Sequence, residues 1–452
     1  MTRRPPSRSN SNVGLIIGLW LGLTLVAGVG IFALIYWAMG GFDTATPGSG
    51  ATPTALPVAI STTVPPTTLP VAIATPSGSG SGGETPVSAC NYPPLPASGF
   101  GYGIQSHVFG GGDNALWMGV IRDKLGLFWV KMQVRWRDLE KTQGNLDWGT
   151  LDYAMREACA KGVRVMLSVV AAPDWTHARE SAMPAENGEA PPDDYNLYAN
   201  LVGQIADRYP GQVGAIEVWN EMNLEREWNT RAGISAAEYV KLLQAAYTAI
   251  KSRDPNIIVI AGAPSPTGVN LTSPEGRPIV VDDATYLTQF VQAGGLAFAD
   301  CIGTHSNGTN LPPTADGANP PPRAGQTFGG PWDSPHYSWA LKSQVETYAG
   351  ILNGQKQQCV TEFGYASAVD GQYPAIFGFA ADVSEQQQGE YLAQAYNWMR
   401  DSGYVKMAFL FNLDYGPLGG DPATDDNVIY SLLYKNGAPR PAFDAIGAMP
   451  KP

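Results

Sequence analysis

Histidine and cysteine are scarce in this 452-residue chain, four of each, and neither a CxxC nor an HxxxH spacing occurs. Structural and catalytic zinc sites are built from such clusters, so no zinc, and no other metal or cofactor, is expected. Asp421, Asp425 and Asp426 form an acidic group that reads as a solvated loop in preference to a calcium site. Basic residues are also in short supply, 28 Lys and Arg against 40 Asp and Glu. Three of the bases and two of the acids precede residue 90, which leaves 25 against 38 and a net −13 in the rest. Nucleic-acid recognition leans on Lys and Arg, so no nucleic-acid partner is expected. A neutral partner fits better, and an acidic polysaccharide would need local basic patches. No glycine-rich phosphate loop follows any apolar run, which argues against a doubly wound dinucleotide-binding sheet.

Long apolar runs are missing too, with one exception. Residues 13–39 are almost wholly apolar and uncharged, 27 residues where about 20 span a bilayer as a helix. Arg3, Arg4 and Arg8 precede them with no acidic residue. The positive-inside rule therefore predicts a cytoplasmic tail over 1–12, a single-pass signal anchor over 13–39 and export of everything beyond. A cleaved signal peptide is the alternative, although its apolar core usually runs to about 7–15 residues. Residues 40–89 are dominated by Thr, Pro, Ala, Ser and Gly, and repeat Leu-Pro-Val-Ala-Ile at 56–60 and 69–73. Such a segment buries too little apolar surface to offset its ordering entropy, and is expected to be a disordered tether open to O-glycosylation.

The cysteines are Cys90, Cys159, Cys301 and Cys359, all beyond the tether, and export permits disulfides. Cys301 and Cys359 sit early in what read as adjacent strands, which favours Cys301–Cys359 with Cys90–Cys159. Buried free thiols are the other reading.

From residue 90 to 452 the chain alternates short apolar runs with amphipathic stretches. Strands are predicted at 100–107, 128–134, 164–170, 213–220, 257–261, 298–305, 358–363 and 405–411, most of them nearly continuous in apolar residues. Between them lie helical patterns such as 238–251, where Tyr239, Leu242, Leu243, Ala246 and Ile250 share one face. Tyr337 is expected to open another, over 337–352. Eight strands alternating with helices predict one (β/α)8 barrel, with long strand-to-helix loops gathered at its C-terminal mouth.

Two apolar runs end in a glutamate: Ile216-Glu217-Val218-Trp219-Asn220-Glu221, and Val360-Thr361-Glu362. Burial penalises an ionised carboxylate, so a pair of them at strand ends points to chemistry that uses two carboxylates in unlike environments. Glycosidic-bond hydrolysis is the main reaction of that kind. On the predicted barrel Glu221 ends the fourth strand and Glu362 the seventh, on opposite sides of the mouth.

Trp219-Asn220-Glu221-Met222-Asn223 resembles the W-N-E-P-N motif after the fourth strand of clan A glycoside hydrolases, with family 39-like and family 5 cellulase-like enzymes the nearest in pattern. Thr361-Glu362-Phe363-Gly364 looks like the T-E-F/W-G motif after their seventh strand. The resemblance covers 100 to about 449. It implies a retaining double displacement on a β-linked glycan, with Glu362 as nucleophile and Glu221 as acid/base. Those roles call for a raised pKa at Glu221 and a lower one at Glu362, the latter from a nearby cation. By the same resemblance Asn220 would bind the sugar 2-hydroxyl, Arg135 would stand beside the nucleophile, and His305 would end the sixth strand. Relatives follow that histidine with x-Tyr, whereas this chain has Ser306-Asn307, so Tyr365 or Tyr337 is expected to substitute. At the eighth strand the usual sugar-stacking tryptophan gives way to Asn412, and Trp175, Trp228 or Trp332 would take over. His107 would meet a sugar hydroxyl. Asn270-Leu271-Thr272 and Asn307-Gly308-Thr309 are glycosylation sequons. The implied protein is an anchored, extracytoplasmic glycosidase, monomeric in its catalytic domain. A non-catalytic sugar-binding barrel and a cell-surface scaffold are the alternatives.

Overall fold

The computed structural model describes residues 90–109, 112–178, 188–320 and 335–452. The expected tail, anchor and tether (1–89) therefore lie outside the described residues. Among those described, no helix is long and apolar enough to cross a membrane.

Eight parallel strands close on themselves: β1 (Gly101–Gln105), β2 (Trp129–Arg135), β3 (Arg164–Val170), β4 (Val213–Val218), β5 (Ile258–Ala261), β6 (Cys301–Gly308), β7 (Gln358–Tyr365) and β8 (Val405–Leu410). Each pairs with its neighbour in sequence and β8 returns to β1, which is the (β/α)8 topology. A helix follows each strand: α1 (Asn114–Gly119), α2 (Gly149–Lys161), α3 (Tyr195–Arg208), α4 (Ala236–Arg253), α5 (Asp283–Gln292), α6 (Leu341–Leu352), α7 (Glu385–Ser402) and α8 (Pro441–Ala448). The face read from the period buries as expected in α4, where Tyr239, Leu242, Leu243, Ala246 and Ile250 all pack inward. Local signals set the ends. Ser235 caps α4, Ser384 and Gln387 form a capping box on α7, and Gly162 closes α2 with a φ of 65°.

Several boundaries differ from expectation, those of β6, β4 and α6 among them. Phe298 belongs to a 3-10 turn (Gly295–Phe298), and β6 runs from Cys301 on to Gly308, because its polar end keeps pairing with β7 through Asn307 and Gly364. β4 stops at Val218, ahead of two left-handed residues. Tyr337 sits in a separate 3-10 turn (Tyr337–Trp339), and α6 begins at Leu341.

The main core lies between strands and helices, and a second apolar layer fills the barrel floor. Trp129, Met166, Ala215, Ile260, Cys301, Cys359, Met407 and Phe409 come together there from seven strands. Gly103 makes room for it: a Cβ at that position would lie 2.4 Å from the Phe409 ring. The Cys301–Cys359 disulfide (S–S 1.95 Å) is part of this layer and joins β6 to β7. Cys90–Cys159 (2.01 Å) ties the segment before β1 to α2. With the floor apolar, the polar inward residues are left for the mouth.

Candidate active site

Alternation along the strands selects what the mouth contains. Above Trp129 on β2 the next inward residue is Lys131; above Ala215 on β4 it is Glu217; above Cys301 and Gly303 on β6 it is His305. Strict alternation on β7 would turn Glu362 outward after Cys359. A bulge prevents this: Thr304 pairs with Val360 and His305 with Glu362, so Thr361 is the extra residue and Glu362 is brought round to the inside. At the end of β4, Trp219 (φ 70°) and Glu221 (φ 41°) both take the left-handed conformation, costly for non-glycine residues. Trp219 Nε1 donates to the Glu227 carbonyl, and the Glu221 N–H donates to that of Ala263, which holds the turn. Asn223 pins the neighbouring loop: its amide donates to the carbonyls of Ser265 and Val281 and accepts from the Ser265 N–H.

The two glutamates meet across His305. Its Nδ1 lies 3.0 Å from Glu221 Oε1 and 3.8 Å from Glu362 Oε2. Those two oxygens are therefore no farther apart than the sum of the two distances, about 6.8 Å. For this pair of oxygens the bound includes the retaining separation of about 5–5.5 Å and reaches the inverting range, about 6.5–9.5 Å. All three side chains are fully buried.

Below them lies a cation that motif reading did not identify. Lys131 Nζ donates to Glu362 Oε1 at 2.8 Å and stands 3.4 Å from Glu217 Oε2. Burial alone would lower the ammonium's pKa, but the charges of Glu217 and Glu362 outweigh it and hold it above its usual value. The signal was available: Lys131 and Glu217 are opposite charges inside otherwise apolar strands.

Arg135 does not take that place. It closes β2 on the rim, where it donates to Glu189 at 2.6 Å and faces Asp138 at 3.5 Å. Lys131 stands two inward positions deeper, and its stem is long enough to hold the nucleophile candidate without help from the rim.

Glu221 departs from the raised pKa its expected role calls for. Burial pushes the carboxyl up, but the Arg226 guanidinium on Oε2 and the His305 hydrogen bond on Oε1 prevail and hold it at about 2. His305 is shifted the other way. Burial favours the neutral ring, and Glu362 together with the Glu221 hydrogen bond raises the imidazole above its usual value.

The remaining expected residues divide into two groups. Asn220 is fully buried, and neither its amide oxygen nor its nitrogen has a protein partner; Asn307 is the same at 8% exposure. The burial of Asn307 leaves that sequon closed to glycosylation. His107 Nδ1 lies 3.0 Å from Asp414 on the rim beside β1, with its side chain 15% exposed. The others are spent on structure. Tyr365 points outward against Tyr391 of α7, so it does not reach Glu362. Tyr337 donates to Asp282. Asn412 is buried with its amide satisfied at both ends, by the Asn427 carbonyl and the Tyr415 N–H. Trp175 packs edge-on against Trp136 and donates to the Glu140 carbonyl, and Trp228 lies in the core between Trp219 and Tyr239. Trp332 is outside the described residues. Among the described residues, no three His, Cys, Asp or Glu side chains are grouped to hold a metal ion.

No protein-family model matches this chain, and no curated protein does. Solved structures do. The fold is shared with a family 39 glycoside hydrolase from the gut symbiont Bacteroides cellulosilyticus WH2 (TM-score 0.53, 16% identity, covering 79% of this chain and 65% of that one). It is shared equally with the family 39 enzyme of Xanthomonas axonopodis pv. citri (0.53, 17%, 78% and 67%). A monomeric beta-xylosidase from Caulobacter crescentus CB15 is similar as well (0.52, 18%, 78% and 68%). The chain thus spans under two thirds of the first of these proteins. The resemblance read from the two glutamate motifs is met in the fold: the structural neighbours are clan A glycoside hydrolases on (β/α)8 barrels.

Proposed function

We propose that this protein is a retaining glycoside hydrolase acting on a β-linked oligo- or polysaccharide. The observation that carries the reading is the pair of buried carboxylates, delivered by opposite strand ends onto one imidazole nitrogen and separated by no more than about 6.8 Å. Glu362 attacks the anomeric carbon while the glycosidic oxygen takes a proton from Glu221 and leaves. Water then gives a proton back to Glu221 and attacks the same carbon, and the bond to Glu362 breaks. Lys131 holds Glu362 by a hydrogen bond and sets a positive charge beside it, and the unpartnered amide of Asn220 would bind the sugar 2-hydroxyl. The fold shared with family 39 enzymes supports a carbohydrate substrate.

The chain is further proposed to be anchored through residues 13–39, with its N-terminus cytoplasmic and a monomeric catalytic domain outside. The three N-terminal arginines support that orientation, and two disulfides fit an oxidising compartment.

The ion pair between Arg226 and Glu221 favours a second reading, a sugar-binding barrel without turnover. Hydrolysis of β-linked polysaccharides by the full-length chain separates the two. Glu362→Gln and Glu221→Gln are each expected to lower turnover by about 10²–10⁴-fold. Unchanged turnover in both variants would refute the enzyme reading. Product lengths then distinguish internal from terminal cleavage.

A further inference from the structure

Both oxygens of Glu221 are occupied, by His305 Nδ1 on Oε1 and Arg226 Nη2 on Oε2. A carboxylate held this way carries no proton near neutrality, and the acid step needs one. His305 is fixed on β6 and buried. Arg226 comes from the loop after β4 with its side chain 23% exposed, so it is the partner able to move. A guanidinium this deeply buried does not leave one carboxylate without a second anion close enough to hydrogen-bond it. Glu227 already pairs with Arg226 Nε, but at 3.8 Å the ion pair is longer than a hydrogen bond, and that Nε is buried without a hydrogen-bond partner. Release of Nη2 would therefore present the Nε–Nη2 edge of the guanidinium, two parallel N–H donors in the geometry that matches a planar carboxylate.

We propose that the substrate supplies this carboxylate, on a uronic acid residue at the leaving-group side of the cleaved bond. The inference rests on the glycosidase reading above. It places the acid group on that side because Glu221 protonates the leaving oxygen, so whatever touches Glu221's own partner borders the leaving sugar. Exchange of one carboxylate for another on Arg226 frees Glu221 Oε2. With the guanidinium gone, burial drives the Glu221 carboxyl toward protonation. An acidic glycan thus switches on the acid that cleaves it, and a neutral glycan leaves the ion pair closed. The net −13 of the domain does not oppose this, since exposed charges are screened beyond about 8 Å at physiological salt and the recognition is local.

The test uses β-linked disaccharides of xylose, glucose, galactose or mannose, each joined to either glucose or glucuronic acid as the reducing residue, with the full-length chain. For whichever sugar is cleaved, the glucuronic acid member is expected to have a kcat/KM at least about tenfold above its glucose partner. Arg226→Gln should bring the two within about twofold, by slowing the acidic member and quickening the neutral one. Arg226→Lys, which keeps the charge and loses the two-pronged edge, should fall between. A wild-type chain that cleaves the glucose member equally well, with Glu362→Gln inactive on both, overturns the proposal and leaves the glycosidase reading standing. Cleavage of no disaccharide and no β-linked polysaccharide overturns both.

Discussion

Replacing Lys131 by Met tests the electrostatic frame of the site. The ammonium is fully buried between Glu217 and Glu362, 3.4 and 2.8 Å away. Its removal strands two carboxylates in the barrel, and breaking a buried pair of this kind typically costs about 3–5 kcal/mol. For a domain of about 360 residues, whose unfolding entropy is roughly 0.75 kcal/mol per kelvin, that lowers Tm by about 4–7 °C. Lys131 is held above its ordinary pKa, so its contribution is complete below about pH 10.4 and is lost only as pH rises past the folded value. Calorimetry at pH 7 therefore measures the whole effect. Adding Glu217→Met should return at least half of the loss, because an apolar pair replaces a broken ionic one. A single-variant cost under about 1 kcal/mol, or a double variant costing the sum of the singles, would refute the account of the lysine as counter-ion.

The other expectations concern the same scaffold. Replacing Cys301 and Cys359 by Ala reopens a loop with a sequence separation of 58 residues, for which chain entropy predicts a loss of up to about 4 kcal/mol. Because the bond is fully buried, thiol labelling after mild reductant should find it intact until the chain is unfolded. Burial, with Asp282 beside it, pushes the Asp283 carboxyl up to about 7 despite the Tyr348 hydrogen bond. A raised folded pKa means its contribution is complete below about pH 4 and is lost as pH rises through 7. Asp283→Asn should therefore gain on wild type in denaturant midpoint between pH 4 and pH 8, and a constant difference would contradict the shift.

What could be read from the chain was what repeats or what is conspicuous by its polarity. Eight apolar runs with intervening 3.6-residue periods give a barrel, and a glutamate after a strand stands out because burying it is costly. The sixth strand reads as ending at His305 because Ser306, Asn307 and Gly308 look like loop, and pairing with β7 keeps them extended. The motif resemblance points to Arg135 because a motif runs along the chain, while inward direction depends on the pleat, which puts Lys131 beside Glu362. Tyr365 failed as a partner for Glu362 for the same reason: the bulge at Thr361 reverses which residues of β7 face the mouth. Arg226 had no signal, since a loop side chain five residues from Glu221 reaches it only through a turn built on two left-handed residues.

The disulfide in the barrel floor has a mechanical consequence. Cys301 lies four residues beneath His305 and Cys359 three beneath Glu362, so the bond sits roughly 10–13 Å below them at about 3.3 Å per residue. Strands joined there behave like two arms on a fulcrum, and a splay of one degree moves their tips by about 0.2 Å. Reacting groups must be held to within about 0.5 Å, a tolerance that two or three degrees would exhaust. Oxidation at the floor is thereby translated into alignment at the mouth. The backbone pairing of His305 with Glu362 sets the register of imidazole and nucleophile, and the bond beneath limits how far the two strands can splay.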